Sequence, residues 1–240
     1  MKRIWAGVVL GLAVLFALSP LASDGFNGFT PTQFPVIRDW PVQPVGWAFS
    51  IWGLIYGWLI AGSLYGLARA PQAPGWQAMR PALGLSLGLG VFWIAVANLA
   101  PVAATAMILV MAAAAIAAML RAGNQDRLWL AAPIGLYAGW LTAASGVALG
   151  VVLGGHGILA AQVAALTMLA SVLGVAMLIA ARRPQVWTYP LAVGWAALGI
   201  AVKNLGLGNP AVWGLALAGI AVLGLQYLAN RRRVGPGPTN

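Results

Sequence analysis

The chain has 240 residues, of which 62% are apolar and only 7% are charged, against about 25% charged residues in a soluble globular domain. So few charges cannot cover a soluble surface, which excludes a soluble enzyme, a nucleic-acid-binding domain and a disordered chain. The apolar segments are continuous rather than alternating, which also excludes an outer-membrane barrel. The composition therefore predicts an all-α, polytopic bundle in a lipid bilayer.

Eight apolar runs predict about eight transmembrane helices, because a hydrocarbon core of about 30 Å needs roughly 20 apolar residues per crossing. In chain order, the predicted helices 1 to 8 are Ile4–Leu18, Val45–Leu67, Ala82–Leu99, Val102–Leu120, Leu128–Leu149, Ile158–Ala180, Trp187–Val202 and Pro210–Ala229.

The basic residues alternate between the two ends of these helices. With the N-terminus in the cytoplasm, 11 of the 13 Lys and Arg residues fall on the cytoplasmic side, and only Arg38 and Lys203 fall outside. This is the bias of the positive-inside rule. It predicts an even number of crossings, with both termini cytoplasmic, in a bacterial inner membrane.

Residues 1–21 contain the weakest predicted helix. Lys2 and Arg3 before a short apolar run are typical of a retained transmembrane anchor and also of a cleavable signal peptide. We favour the anchor, because the small-residue cleavage site that a signal peptide needs is poor.

The loop Ala22–Pro44 is long, irregular and rich in proline, yet it carries five large apolar side chains. They are Phe26, Phe29, Phe34, Ile37 and Trp40. A solvated linker has no use for them, so we interpret the loop as a lid over the mouth of the bundle. The alternative is a loop that dips into the membrane interface.

Twelve tryptophans divide by position along the predicted helices. Seven lie at or beyond helix ends, where an interfacial belt is expected: Trp5, Trp40, Trp47, Trp76, Trp129, Trp187 and Trp213. Five lie deeper: Trp52, Trp58, Trp93, Trp140 and Trp195. An indole N–H in hydrocarbon needs an acceptor, so each deep tryptophan either bonds another helix or lines a cavity.

Two predicted helices carry an aromatic face. Phe49, Trp52 and Tyr56 share one face of predicted helix 2, and Tyr137, Trp140 and Ala144 share one face of predicted helix 5. Two such faces are typical of the walls of a pocket for a flat, apolar ligand. We predict that Trp52, Tyr56, Trp140 and Ala144 line one cavity near the non-cytoplasmic mouth; the alternative is aromatic packing between helices.

Other residue types limit the chemistry. The sequence has one histidine, His156, no cysteine and no glutamate, so we expect no intrinsic metal or cofactor. No predicted span holds an ionisable residue well inside it, which disfavours an ion-coupled transporter. Gly150, Gly154 and Gly155 predict a close helix approach, and the alanine-rich predicted helix 4 predicts either a homodimer surface or internal packing.

The motif of predicted helix 2, P-x-G-W-x-F-x-x-W-x-x-x-Y over residues 44–56, resembles the first helix of the TspO/translocator-protein family, the tryptophan-rich sensory proteins. The pattern P-x-x-x-Y-x-x-W-x-x-x-A over residues 133–144 is similar to that family's fourth helix. The resemblance implies a five-helix core over 45–180. Residues 1–21 and 22–44 would precede it, two additional helices over 181–230 would follow, and 231–240 would form a basic cytoplasmic tail.

The resemblance also implies a function. It implies that the protein binds, and transports or senses, tetrapyrroles such as porphyrin or haem as ligands rather than as resident cofactors. The implied ligand-binding residues are Trp47, Phe49, Trp52, Tyr56, Tyr137, Trp140 and Ala144. A homodimer through predicted helix 4 is implied as well. One departure concerns the polar end of the ligand, because Ala148 stands where the family usually has asparagine.

Catalysis is not expected, because the serines lack a partnered base. Photochemical breakdown of a bound porphyrin needs no such residue and stays open under the resemblance. Two other functions stay open: a secondary transporter of another small molecule, and an assembly or sensory membrane protein without ligand transport.

Overall fold

The computed structural model describes residues 2–23, 25–36 and 39–233. Within these residues the chain forms eight α-helices and no strand. They are α1 (Lys2–Leu18), α2 (Ile51–Ala68), α3 (Pro74–Leu99), α4 (Pro101–Arg121), α5 (Ala131–Gly155), α6 (Ala161–Arg182), α7 (Thr188–Gly206) and α8 (Pro210–Arg233). The predicted all-α bundle is confirmed.

In the described part of the chain, seven of these helices are long and apolar enough to cross a membrane, and α7 is the exception. Tyr189, Lys203 and Asn204 lower the hydropathy of α7. Its 19 residues still extend over roughly 29 Å at about 1.5 Å per residue. Helix α7 keeps this length beside α5, where Tyr189 and Asn204 are buried by protein.

The start of α3 differs from the prediction. The helix begins at Pro74, eight residues before the predicted start, because proline is well suited to a first helical turn. Arg80, predicted to lie in a loop, therefore lies in the second turn and is buried. Its guanidinium donates to the carbonyls of Gly66, Ala70 and Pro71, where α2 ends. Arg80 thus satisfies carbonyls that a helix end leaves unpaired.

Helix α5 is the centre of the bundle, and 20 of its 25 residues are buried. Helix α4 packs on one side of it, and α6 and α7 pack on the other. Helices α1 and α3 complete the first group and α8 completes the second. Helix α1 contacts both α2 and α3, so it is an integral part of the bundle.

The alanine-rich face of α4 packs against other helices of the same chain. Ala104, Ala112, Ala115 and Ala118 are buried while α4 packs against α3 and α5. Small side chains let these helices approach closely. A homodimer through α4 stays a prediction, and it would have to use the exposed side of the helix, where Val110 lies.

Candidate functional site

The loop 22–44, called the lid loop below, lies across one end of the bundle. Its side chains Phe29, Phe34 and Trp40 are buried, and Phe34 packs edge to face against both of the others at centroid distances of 5.9 Å. Trp40 was predicted for the interfacial belt, and this prediction is wrong because protein covers the indole. Ile37 lies outside the described residues. The apolar side chains of the loop thus lie against the bundle.

The lid loop rests on glycines at the end of α5. A Cβ atom added to Gly154 would lie 3.1 Å from the Trp40 ring, and one added to Gly150 would lie 3.0 Å from Val42. A Cβ atom added to Gly155 would overlap the Phe34 ring. The predicted close approach at these glycines exists and receives side chains of the loop. Helix α6 also lies close, because Met168 is 3.4 Å from a Cβ atom added to Gly150 and Ala161 is 3.7 Å from one added to Gly154.

Polar contacts hold the same loop from two further helices. Gln33 Nε2 donates to the carbonyl of Ala97 near the end of α3, at 2.9 Å. Asn204 Nδ2, fully buried in α7, donates to the carbonyl of Pro41 at 2.7 Å. The lid loop is therefore attached to α3, α5 and α7.

A small apolar cavity of about 30 Å³ lies beneath the lid loop. Four of the predicted site residues line it: Phe49, Trp52, Trp140 and Ala144. Phe49 and Trp52 both pack edge to face against Trp140, at centroid distances of 5.7 and 6.1 Å. The structure thus brings the two predicted aromatic faces together.

The predicted tyrosines lie outside the lining. Tyr56 stacks on Trp52 at 5.2 Å, and the fully buried Tyr137 hydroxyl lies 2.9 Å from Ser86 Oγ. Phe16 of α1 packs edge to face against Trp52, Tyr56 and Tyr137. The prediction that Tyr56 lines the cavity is therefore wrong: both tyrosines support the cavity wall from behind.

Trp47 is also separate from the cavity. It lies in a 3-10 turn, Gly46–Ser50, that precedes α2 and shortens the predicted helix 2. Its indole is 45% exposed and packs at 5.1 Å against Trp195, whose N–H donates to the carbonyl of Ala48. Trp47 therefore attaches the start of α2 to α7.

Several lining residues were missed from the sequence. They come from the lid loop and from α3, α4, α5 and α7, and include Phe26, Phe29, Trp93, Ile108, Val147 and Ala196. Phe26 and Phe29 carried a signal as apolar side chains of the predicted lid, and Trp93 carried one as a deep tryptophan. The Trp93 N–H donates to the carbonyl of Ala104 at 2.9 Å. Ala196 belongs to α7, beyond the predicted five-helix core, so α7 contributes to the cavity wall.

Trp140 is the one deep tryptophan whose buried N–H lacks a partner among the described residues. The side chain is 2% exposed and lines the cavity, whereas Trp58, Trp93 and Trp195 each donate to a backbone carbonyl. Ala148, at the position where an asparagine was expected, also lines the cavity. The wall is thus almost wholly apolar, and among its described side-chain atoms the Trp140 N–H is the one fully buried donor without a partner.

A family model described as TSPO-like protein matches residues 3–229. The chain belongs to the TSPO-like family. No curated protein and no solved structure matches it significantly. The family match and the apolar helices show an integral membrane protein of the TspO type. The match includes α1, α7 and α8, which lie outside the predicted core of 45–180; a division of the chain at those limits stays a prediction.

Proposed function

We propose that this TSPO-like protein binds a flat hydrophobic ligand, of the tetrapyrrole class, beneath the lid loop. The observation that carries the proposal is the unpartnered N–H of Trp140 in an aromatic cavity. A buried donor without a partner costs about 1–3 kcal/mol, so an acceptor on a ligand would recover this free energy. The aromatic walls favour a planar ligand.

The small size of the cavity indicates that a ligand can enter only after the cavity enlarges. Pockets that hold a drug-sized ligand measure about 300–1,000 Å³, whereas this cavity measures about 30 Å³. In this proposal the structure represents a closed state, because the cavity has to enlarge before a tetrapyrrole fits. The lid loop is the element whose displacement enlarges it, because the other walls are helices packed on α5.

The charge of the lining limits how the ligand lies. No cation lines the cavity among the described residues, and an unpaired carboxylate is costly to bury. The acidic side chains of a porphyrin therefore stay at the mouth, while the macrocycle lies against Trp52 and Trp140. The acceptor for the Trp140 N–H is then the π face of the macrocycle, which haem and metal-free porphyrin share.

Haem and metal-free porphyrin bind alike in this proposal. The described lining contains no His, Met, Cys or Tyr that would ligate iron, and His156 packs against Phe34 outside it. The ring contacts alone then determine affinity. We expect dissociation constants for haem and protoporphyrin IX that agree within about threefold, since no axial ligand bond distinguishes them.

Equilibrium binding of protoporphyrin IX to the purified protein tests the site. Trp140→Leu removes an aromatic wall, and Ala144→Leu fills a cavity that has no spare volume. We expect each to weaken binding at least tenfold, about 1.4 kcal/mol. Trp47→Leu and Ala113→Leu are matched controls on exposed positions outside the cavity. Equal effects of all four variants, or no saturable binding, would refute the proposal.

The proposed biological role is binding that leads to transport or sensing, without catalysis. The proposed location is a bacterial inner membrane, and the distribution of basic residues supports cytoplasmic termini. The lid loop then faces the non-cytoplasmic side. Because the chain has no native cysteine, single cysteines at Thr32 and Gln125 would report the orientation by labelling of intact cells.

A further inference from the structure

A second, larger cleft lies at the end of the bundle opposite the lid loop, called the arginine-rich end below. It measures about 700 Å³ and lies between the α4–α5 connection, the α6–α7 connection and the last turns of α8. Arg127, Arg231 and Arg232 line it, and all three are exposed. The described lining contains no carboxylate. Three separate segments thus bring positive charge to one concave surface.

These three arginines have no competing ion pair in the described part of the chain. The nearby Asp126 accepts hydrogen bonds from the Tyr65 hydroxyl and from Trp76 Nε1. Arg183, close to the same end, behaves differently, because its guanidinium donates to the carbonyls of Leu120 and Ala122. The cleft arginines are therefore available to an external anion, whereas Arg183 is already used inside the fold.

An apolar groove of about 390 Å³ adjoins the cleft. The groove runs between α7 and α8, and Trp187 and Tyr227 line both the cleft and the groove. Leu191 in the groove is 53% exposed, so the groove opens to the surface that lipid covers. The two cavities together have a basic head region and an apolar tail region.

We infer that an anionic glycerophospholipid binds here, with its phosphate among the three arginines and one acyl chain along the groove. Guanidinium groups bind phosphate through paired hydrogen bonds, and basic clefts between transmembrane helices are suited to lipid head groups. This site is independent of the cavity beneath the lid loop, and it needs no conformational change because both cavities are already open.

The head group distinguishes anionic from zwitterionic lipids, and the groove distinguishes a lipid from a soluble anion. Phosphatidylglycerol and phosphatidylcholine with the same acyl chains make the same contacts in the groove, so the chain does not separate these two lipids. Anionic lipids should therefore bind much more tightly than zwitterionic lipids. A soluble phosphorylated compound has the same phosphate but no acyl chain to occupy the groove. Comparing its binding with that of an anionic lipid therefore distinguishes a lipid site from a general anion site.

The experiment measures binding of three probes to the full chain in detergent by native mass spectrometry. The probes are dioleoyl phosphatidylglycerol, dioleoyl phosphatidylcholine and sn-glycerol 3-phosphate. We expect phosphatidylglycerol to bind at least tenfold more tightly than the other two. Equal binding of phosphatidylcholine would overturn the inference, and so would displacement of phosphatidylglycerol by equimolar glycerol phosphate, which would indicate a soluble anion.

Matched variants connect this binding to the cleft. The triple variant R127Q/R231Q/R232Q should weaken phosphatidylglycerol binding at least tenfold. The control R69Q/R121Q/R182Q removes three other exposed arginines near the same end and should change it less than twofold. Equal losses in both triple variants would show diffuse surface charge and overturn the inference.

A separate variant tests the groove. Gly194 and Gly224 line it, and a Cβ atom added at either meets nothing within 4 Å, so the backbone of both helices leaves room for a side chain to enter the groove. The double variant G194L/G224L fills the groove and should weaken phosphatidylglycerol binding severalfold while binding of glycerol phosphate stays unchanged. Unchanged phosphatidylglycerol binding in this variant would refute the placement of the acyl chain.

Discussion

The two ends of the bundle present opposite kinds of cavity. The cavity beneath the lid loop is apolar and measures about 30 Å³, whereas the cleft at the arginine-rich end is basic and measures about 700 Å³. The cavity has an unpartnered N–H donor but too little volume for a tetrapyrrole. The cleft has enough volume for a ligand, carries positive charge and has no long loop of the described chain across it. The larger of these two cavities is therefore not the one in which we propose that a tetrapyrrole binds.

The difference lies in what covers each end. Twenty-three residues of loop, with buried aromatic side chains, seal one end of α5, and only short connections meet at the other. Ligand binding beneath the lid loop should therefore depend on displacement of the loop. Binding in the cleft at the arginine-rich end should be independent of it.

The largest expected effect comes from locking the lid loop. Phe34 Cβ lies 2.9 Å from the position of a Cβ atom built on Gly155, so a small shift gives the spacing of about 3.5–4.5 Å that a disulfide needs. Oxidised F34C/G155C should lose protoporphyrin IX binding more than a hundredfold. Reduction should restore it, and phosphatidylglycerol binding should be equal in both states. Full porphyrin binding by the oxidised protein would contradict a mobile lid.

A smaller effect in the opposite direction, faster ligand binding, should follow from weakening the contact between the lid loop and α5. Gly155→Leu overlaps the Phe34 ring, and overpacking of this kind costs about 1–3 kcal/mol. Because the closed state loses this stability, the association rate constant for protoporphyrin IX should rise about tenfold in stopped-flow quenching of tryptophan. Gly174→Leu on α6 is the control, since an added Cβ atom meets nothing there. A slower rate in Gly155→Leu alone would contradict loop-limited binding.

Removing a single donor should have a modest effect. Trp140→Phe keeps an aromatic wall and removes the unpartnered N–H. A hydrogen bond contributes about 1 kcal/mol, so binding should weaken about fivefold. The loss should be the same for protoporphyrin IX and for octaethylporphyrin, which has no carboxylate, because the macrocycle supplies the acceptor. A loss confined to protoporphyrin IX would show that the N–H meets a carboxylate instead.

The smallest expected effect is the coupling between the two ends. The R127Q/R231Q/R232Q variant should bind protoporphyrin IX within twofold of the original chain, and Ala144→Leu should bind phosphatidylglycerol within twofold. Along α5 the cleft is lined by Ala131 and Ala132 and the cavity by residues from Trp140 to Ala148, so the nearest lining residues lie about 12 Å apart. A reciprocal change larger than fivefold in titration calorimetry would show that the ends are coupled.

The sequence predicted the helices and the meeting of two aromatic faces, because apolar runs and helical spacing are local properties. It did not predict how deep each residue lies. Tyr56 shares a face with Phe49, but seven residues correspond to about 10 Å along a helix, and the cavity extends only as far as Trp52. Spacing identifies a face, and only packing shows where along that face a cavity ends.

Contacts between distant segments were also beyond sequence reasoning. Phe16 gave no signal of its own, yet α1 brings it against three aromatic side chains of α2 and α5. Trp76 at a helix end was predicted to be interfacial, but it is buried and donates to Asp126 from a neighbouring connection. Position relative to a helix end does not show what covers it.

The most direct test of the central account is the distance between the lid loop and the opposite end of the bundle during ligand binding. Spin labels at Thr32→Cys and Gln125→Cys occupy exposed positions on the two ends, in a chain that has no other cysteine. Electron–electron double resonance should show a longer distance once protoporphyrin IX saturates the protein, as the loop rises from α5. An unchanged distance distribution at saturation would contradict a site beneath the lid loop.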